Sequence, residues 1–172
     1  VQLYDNFNNA PVLGSLLNPI MDPGKSALSG IKWEDVVPTL EKILKEAKRD
    51  NPDRSIVAHG LLKAANILTK KYHLVTTNVP YLGSKKHGEV LKNYSEKHYP
   101  LSKSDLATVF LERCFKLCES NGIISSVVPQ NWLYLTNYTG FRKKVLHSTQ
   151  INNIAILGEG GFTSKAAAGA FI

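Results

Sequence analysis

Two short apolar runs on either side of a long amphipathic stretch define residues 73–128. The first run, 73–77, has the composition of a β-strand, and the second, 123–128, is nearly continuous, which is typical of a strand covered on both faces. Between them, apolar side chains recur at helical spacing and share one face: Leu106, Val109, Phe110, Cys114 and Leu117. The order strand, helix, strand predicts one βαβ unit with parallel pairing and a right-handed crossover, and therefore an α/β fold.

The ends of this helix are predicted from its flanking residues. Ser102 is placed to open the helix, with Asp105 three residues later in the position of a capping-box partner. Asn121–Gly122 is a typical helix stop. A second interpretation of Asp105 places it in the lining of a cleft.

Residues 1–58 are predicted to form a loop and helical lead-in or insertion. The first 30 residues show little periodicity, whereas 38–48 repeats apolar residues as a helix does. Ser55 is placed to cap a second helix with the apolar stripe Leu61, Leu62, Ala65 and Leu68. We therefore divide the chain into 1–58 and a second region, 59–172.

The end of the chain continues the alternation of strands and helices. A loop over 129–137 contains Trp132, which we expect to pack rather than to contact a ligand. A helix over 138–146, an apolar strand over 151–157 and a glycine-rich turn at 158–161 follow, and the last two predict a closing hairpin.

The charge balance favours a polyanionic partner. Lys and Arg number 21 against 14 Asp and Glu, which gives a net charge of +7 with neutral histidines. No apolar run approaches the roughly 18 residues that a membrane helix needs, so the chain is not expected to span a bilayer. The start at Val1 and the apolar end at Ile172 predict an internal piece of a longer protein.

Cysteine and histidine usage predicts no metal site. Cys114 and Cys118 lie four residues apart in the predicted helix, and two ligands cannot complete a tetrahedral zinc site. A disulfide along one helix face has poor geometry, so both are expected to be reduced thiols in a cytoplasmic protein. The five histidines do not cluster.

The tetrapeptide Asn78-Val79-Pro80-Tyr81 follows the first predicted strand directly. In a parallel α/β sheet, ligands bind beyond the carboxyl ends of the strands. The Asn oxygen and a nearby carbonyl can accept hydrogen bonds from an amino group, while Pro80 stiffens the turn and Tyr81 offers a ring for stacking. This set suits a flipped-out base with an exocyclic amine, although a simple strand-ending turn explains the tetrapeptide equally well.

Several motifs in order resemble one enzyme family. His73–Gly83 resembles the catalytic strand and loop of amino-methyltransferases, in which Asn or Asp precedes Pro-Pro-Tyr or Pro-Pro-Phe. The segments 84–88, 101–106, 121–133 and 157–162 are similar to the adenine methyltransferases of BREX-type phage defence (PglX-like), and more loosely to fused type IIG restriction-methylation enzymes. The resemblance covers about residues 60–172, with a weaker match at 7–17.

The resemblance implies part of a Rossmann-like class I methyltransferase fold, with 59–172 as the catalytic half that receives the target base. It implies methyl transfer from S-adenosylmethionine to the N6 amino group of adenine in DNA, for restriction-modification or phage defence. No strand with a following glycine-rich turn precedes Asn78. Most of the S-adenosylmethionine site is therefore expected outside this piece, which by itself should be inactive, with DNA and the rest of the parent protein as its partners.

The resemblance also assigns roles to individual residues. Asn78 and the Val79 carbonyl would accept from the adenine amino group, Pro80 would shape the turn, and Tyr81 would stack on the base. Phe162 would form a second aromatic wall or the hairpin core. The basic residues that would meet DNA phosphates, or remain solvated surface, are Lys85, Lys86, Arg142, Lys143 and Lys144.

Two other functions fit the same residues. Asn-Pro-Pro-Tyr loops also serve enzymes that methylate RNA bases or protein glutamine. A noncatalytic DNA-binding scaffold with the same fold is the other alternative, supported by Val79, which stands where the family usually has Pro. The intact Asn78, Pro80 and Tyr81 favour the enzyme.

Overall fold

The computed structural model describes residues 7–19, 37, 38, 42 and 52–157. The chain divides into two compact units, Val1–Tyr72 and His73–Ile172. The helix predicted over 38–48 falls mostly outside the described residues. The predicted turn at 158–161 and the candidate site residue Phe162 fall wholly outside them.

The first unit contains two described helices, α1 (Ala10–Leu13) and α2 (Pro52–Thr69). Helix α2 begins before Ser55, so the prediction that Ser55 caps it is wrong; a proline suits the first turn of a helix. The predicted apolar stripe of α2 is confirmed, because Leu62 and Ala65 are buried.

The second unit is built around two strands, β1 (Tyr72–Asn78) and β2 (Cys118–Val127). They pair in parallel and form a two-stranded sheet within the described residues, which confirms the predicted pairing. Two helices connect them, α3 (Glu89–His98) and α4 (Leu106–Leu117). Helix α3 is not predicted from the sequence, because only Leu91 and Ser95 of its ten residues are buried and its apolar stripe is short.

Both predicted ends of α4 are corrected. Asp105, not Ser102, is the N-cap, because its carboxylate accepts a 2.8 Å hydrogen bond from the Ala107 amide. The helix ends at Leu117 rather than at Asn121–Gly122, which lie within β2. A glycine or asparagine is compatible with a strand when ladder hydrogen bonds to a neighbouring strand are available.

Helix α4 is buried on more than its predicted face. Leu106, Val109 and Cys114 are buried as predicted, but Leu111 on another side of the helix is buried too. Leu111 packs in a core cluster with aromatic and aliphatic side chains that follow β2: Trp132, Tyr138, Phe141 and Val145. The rings of Trp132 and Phe141 make an edge-to-face contact at 5.6 Å, which confirms that Trp132 packs.

Two predictions about strands are wrong. Side chains of β2 alternate in burial instead of being covered on both faces: Ile123 is 58% exposed, whereas Ile124 packs on the core. Residues 151–157 form no strand and are exposed throughout, since an apolar run becomes a strand only when another strand pairs with it. The last described helix, α5 (Thr139–Ser148), confirms the helix predicted over 138–146.

The described helices do not include one that could span a membrane. In the parts of the chain that the structure describes, every helix is too short or too polar to cross a bilayer.

Candidate functional site

Asn78-Val79-Pro80-Tyr81 lies at the carboxyl end of β1, with Asn78 as the last residue of the strand. Because β1 and β2 are parallel, the loop that follows β2 begins at the same edge of the sheet. This is the edge at which α/β proteins bind their ligands. The tetrapeptide therefore occupies the position that a ligand-binding loop requires.

Burial divides the four residues into an anchor and three accessible groups. The Val79 side chain is only 5% exposed, whereas Asn78 and Pro80 are exposed and Tyr81 is half-buried. A buried aliphatic side chain fixes the turn through packing, where a proline would fix it through its ring. This packing compensates locally for the valine in place of a second proline.

The Tyr81 hydroxyl donates to the Asn78 side chain. It lies 3.4 Å from Asn78 Oδ1, which is long for an O–H···O hydrogen bond. Burial raises the pKa of the Tyr81 phenol, so the hydroxyl remains neutral at physiological pH. The Asn78 oxygen is therefore weakly engaged and retains capacity to accept from a ligand.

The loop after Tyr81 is fastened to the start of α4. The Leu82 carbonyl accepts hydrogen bonds of 2.9 Å from the Leu106 amide and from His87 Nε2, which must donate because a carbonyl only accepts. The Ser84 amide donates to the Ser104 carbonyl at 2.9 Å. Residues 82–84 and 104–106 thus form a short antiparallel bridge that holds the loop in place.

The loop after β2 is fastened to the same segment. Asn137 Nδ2 donates to Ser104 Oγ at 2.9 Å. Tyr138 is buried in the core, and its phenol has hydrogen bonds with the side chains of Thr108 and Ser104, while burial raises its pKa. The start of α4 therefore joins the loops that leave both strands.

The basic residues predicted to meet DNA differ in their surroundings. Lys85 and Lys86 are exposed in the 3₁₀ turn that follows the tetrapeptide. Arg142 donates to the carbonyls of Trp132 at 2.8 Å and Leu135 at 2.6 Å, and Lys144 lies 2.7 Å from the buried Glu112. Both have intramolecular partners that favour a structural role, whereas Lys143 is exposed on α5.

A shallow basic depression of about 190 Å³ lies beside the tetrapeptide loop. Its lining comes from the 3₁₀ turn, from α3 and from the segment before α4: Ser84, Lys85, His87, Lys92, Glu96, Lys103 and Ser104. It is not predicted from the sequence, because Lys92 and Glu96 belong to the unpredicted helix α3. A larger groove of about 320 Å³ in the first unit is lined by α2 alone and brings no residues of separate elements together.

Metal-ligating and thiol side chains of the described residues were the other candidates for a site. Within residues 7–19 and 52–157, no group of three His, Cys, Asp or Glu residues could hold a metal ion. Cys114 and Cys118 are free and buried, as predicted, and burial raises the pKa of the Cys114 thiol. Within the described residues, neither β1 nor β2 is followed directly by a glycine-rich turn and a helix.

Comparison with known proteins identifies relatives of this chain. A family model described as Eco57I restriction-modification methylase matches residues 22–162. Adenine-specific methyltransferase PglX of Lacticaseibacillus casei (strain Zhang) is 36% identical over 103 residues, which are 60% of this chain and 8% of PglX. Adenine-specific methyltransferase BrxX of Escherichia coli O9:H4 (strain HS) is 30% identical over 159 residues, 91% of this chain and 12% of BrxX. The chain thus spans about a tenth of the length of these relatives.

Proposed function

Because the chain belongs to the Eco57I restriction-modification methylase family, we propose that it carries the target-base pocket of a DNA adenine methyltransferase. The full-length protein would transfer a methyl group from S-adenosylmethionine to adenine N6, in restriction-modification or phage defence. The parallel pair β1–β2 would belong to a Rossmann-like sheet. The observation that carries the proposal is the accessible Asn78 amide beside the Tyr81 ring, at the carboxyl end of β1 in the family-matched segment.

The pocket would recognise the amino group through two acceptors. Asn78 Oδ1 and the Val79 carbonyl each accept one N6 hydrogen. Two such bonds bring the amino nitrogen toward tetrahedral geometry and direct its lone pair away from the ring, which makes it a nucleophile. The proton that the nitrogen finally releases passes to solvent, so the site needs no histidine or carboxylate as a general base.

The aromatic and basic residues would hold the nucleotide. The Tyr81 ring stacks on the flipped base, and base–aromatic stacking contributes roughly 1–3 kcal/mol. Pro80 shapes the turn, and Phe162 supplies a second aromatic wall. Lys85 and Lys86, on the turn that follows, contact DNA phosphates, which position the strand without reading its sequence.

The methyl donor would bind elsewhere in the full-length protein. S-adenosylmethionine supplies an electrophilic methyl group, and no described residue of this chain is assigned to it. The contribution of this chain is to bind and orient the base and its amino group.

The test is methyl transfer by the full-length protein, with labelled S-adenosylmethionine and matched unmethylated DNA, RNA and protein substrates. Mass spectrometry of the digested DNA should show N6-methyladenine. If the labelled methyl group appears only in RNA or only on protein glutamine, that molecule is the substrate instead of DNA. If the protein is folded and binds S-adenosylmethionine but methylates neither DNA, RNA nor protein, the noncatalytic scaffold becomes the better explanation.

A further inference from the structure

We infer that the basic depression binds a backbone phosphate of the DNA strand whose adenine enters at Asn78. This inference rests on the proposed function, because it assumes a flipped nucleotide at the tetrapeptide. The depression lies in the same unit as the tetrapeptide, and three chain segments converge on it. Its ligand class is a phosphodiester, with DNA as the source.

The charge of the depression suits an anion. Three lysines, Lys85, Lys92 and Lys103, face one carboxylate, that of Glu96. Glu96 and Lys103 form an ion pair at 3.5 Å, and both side chains are about half-exposed. Such an exposed pair contributes little free energy, so Lys103 can exchange its carboxylate partner for a phosphate at small cost.

The polar lining also offers neutral hydrogen-bonding groups. Ser84 and Ser104 line the depression, and the backbone hydrogen bond between them fixes their separation. Hydroxyl groups beside lysines are common partners of DNA phosphate oxygens. His87 also lines the depression, and its Nε2–H donates to the Leu82 carbonyl, which fixes the loop beneath the lysines.

The position of the depression matches the geometry of a flipped nucleotide. Ser84 is three residues beyond Tyr81, so their Cα atoms are at most about 11 Å apart. A flipped base rotates about its own backbone, so the flanking phosphates stay close to the pocket and must be held while the base is out of the stack. The hydrogen bond from His87 to the Leu82 carbonyl also joins this lining to the tetrapeptide loop directly.

The experiment measures DNA binding by the full-length protein as a function of salt concentration. The double variant Lys92→Ala/Lys103→Ala should bind DNA more weakly, and the slope of log K against log salt should fall by about two, since each lysine removed neutralises one phosphate fewer. Lys97→Ala is the control for the loss of one lysine charge, because it removes that charge from the exposed surface of α3 outside the depression. Glu96→Gln should have the opposite effect and tighten binding, since it removes the one carboxylate.

The outcomes separate this inference from the proposed function. Normal N6 methylation with an unchanged salt slope in the double variant, or with a drop no larger than twice that of Lys97→Ala, overturns the phosphate site and leaves the function intact. Selective loss of slope in the double variant supports the site even if no methylation is detected. A wild-type protein that binds no DNA overturns both.

Discussion

The Leu106 amide donates a 2.9 Å hydrogen bond to the Leu82 carbonyl, which joins the first turn of α4 to the residue that follows Tyr81. Leu106 is buried, as are most of the residues of α4. The position of the tetrapeptide is therefore set by the packing of α4 as well as by β1. Changes at the start of α4 should therefore reach the tetrapeptide through this hydrogen bond.

Removal of the α4 cap should loosen this junction. Asp105→Ala leaves the Ala107 amide without its acceptor, and loss of an N-cap destabilises a helix by about 1 kcal/mol. Hydrogen exchange at the first turn of α4 in the full-length protein should accelerate roughly fivefold. Asp105→Asn, which can also cap, should exchange nearly as slowly as the wild type; equal acceleration in both variants would refute the capping role.

The ring and the hydroxyl of Tyr81 should contribute unequally to methylation activity. Tyr81→Ala removes the ring and should lower kcat/KM by roughly tenfold to a hundredfold, the equivalent of one base stack. Tyr81→Phe keeps the ring and removes only a long hydrogen bond to Asn78, so it should retain most activity. Steady-state kinetics of both variants decide the matter, and equal losses would show that the hydroxyl, not the ring, is essential.

Lys144 should matter for stability more than for DNA binding. It pairs with Glu112, whose other carboxylate oxygen accepts from Ser102 at 2.5 Å. Lys144→Ala leaves a buried carboxylate without its cation and should destabilise α4 by about 1–2 kcal/mol, since Lys144 itself is partly exposed. Hydrogen exchange measures the free energy of opening of α4 and should show this loss. The control Lys143→Ala, at an exposed neighbouring position, should change that free energy by less than about 0.5 kcal/mol. A change in DNA affinity without a change in exchange would contradict the structural role.

Cys114 should react slowly with alkylating reagents. Burial raises the pKa of its thiol, so at about pH 8.5, where an ordinary cysteine is half thiolate, a smaller fraction of Cys114 is thiolate. Its alkylation in the native protein, followed by mass spectrometry, should be roughly tenfold or more slower than after unfolding. Equal rates in the native and unfolded protein would show that the thiol is neither buried nor protonated.

The sequence predicts the elements whose signals are local. β1 and its end at Asn78 follow from a short apolar run that a turn-forming tetrapeptide interrupts, and the core face of α4 follows from helical spacing. The family was also predictable, because several motifs occur in order, and the family model that matches residues 22–162 confirms the family. The roles of Asn78 and Tyr81 remain predictions.

Features that depend on distant partners were not predictable. The boundary between α4 and β2 at Cys118 is set by pairing with β1, and Asn121–Gly122 gives the opposite local signal. Helix α3 has too few apolar residues to show a stripe, so the two residues that it brings to the depression, Lys92 and Glu96, were not recognised as part of a cluster. The apolar run 151–157 shows the converse error, because composition alone does not supply a pairing strand.

The most direct measurement compares Asn78→Ala with Asn93→Ala in the full-length protein, with unmethylated DNA and saturating methyl donor. Asn93 is an exposed asparagine on α3 outside the depression, so it controls for the loss of an amide. The account predicts that Asn78→Ala still folds and binds DNA but forms N6-methyladenine at least about a hundredfold more slowly, a loss of roughly 3 kcal/mol of transition-state stabilisation, while Asn93→Ala matches the wild type. Methylation by Asn78→Ala at the wild-type rate would contradict the assignment of the base pocket to this loop.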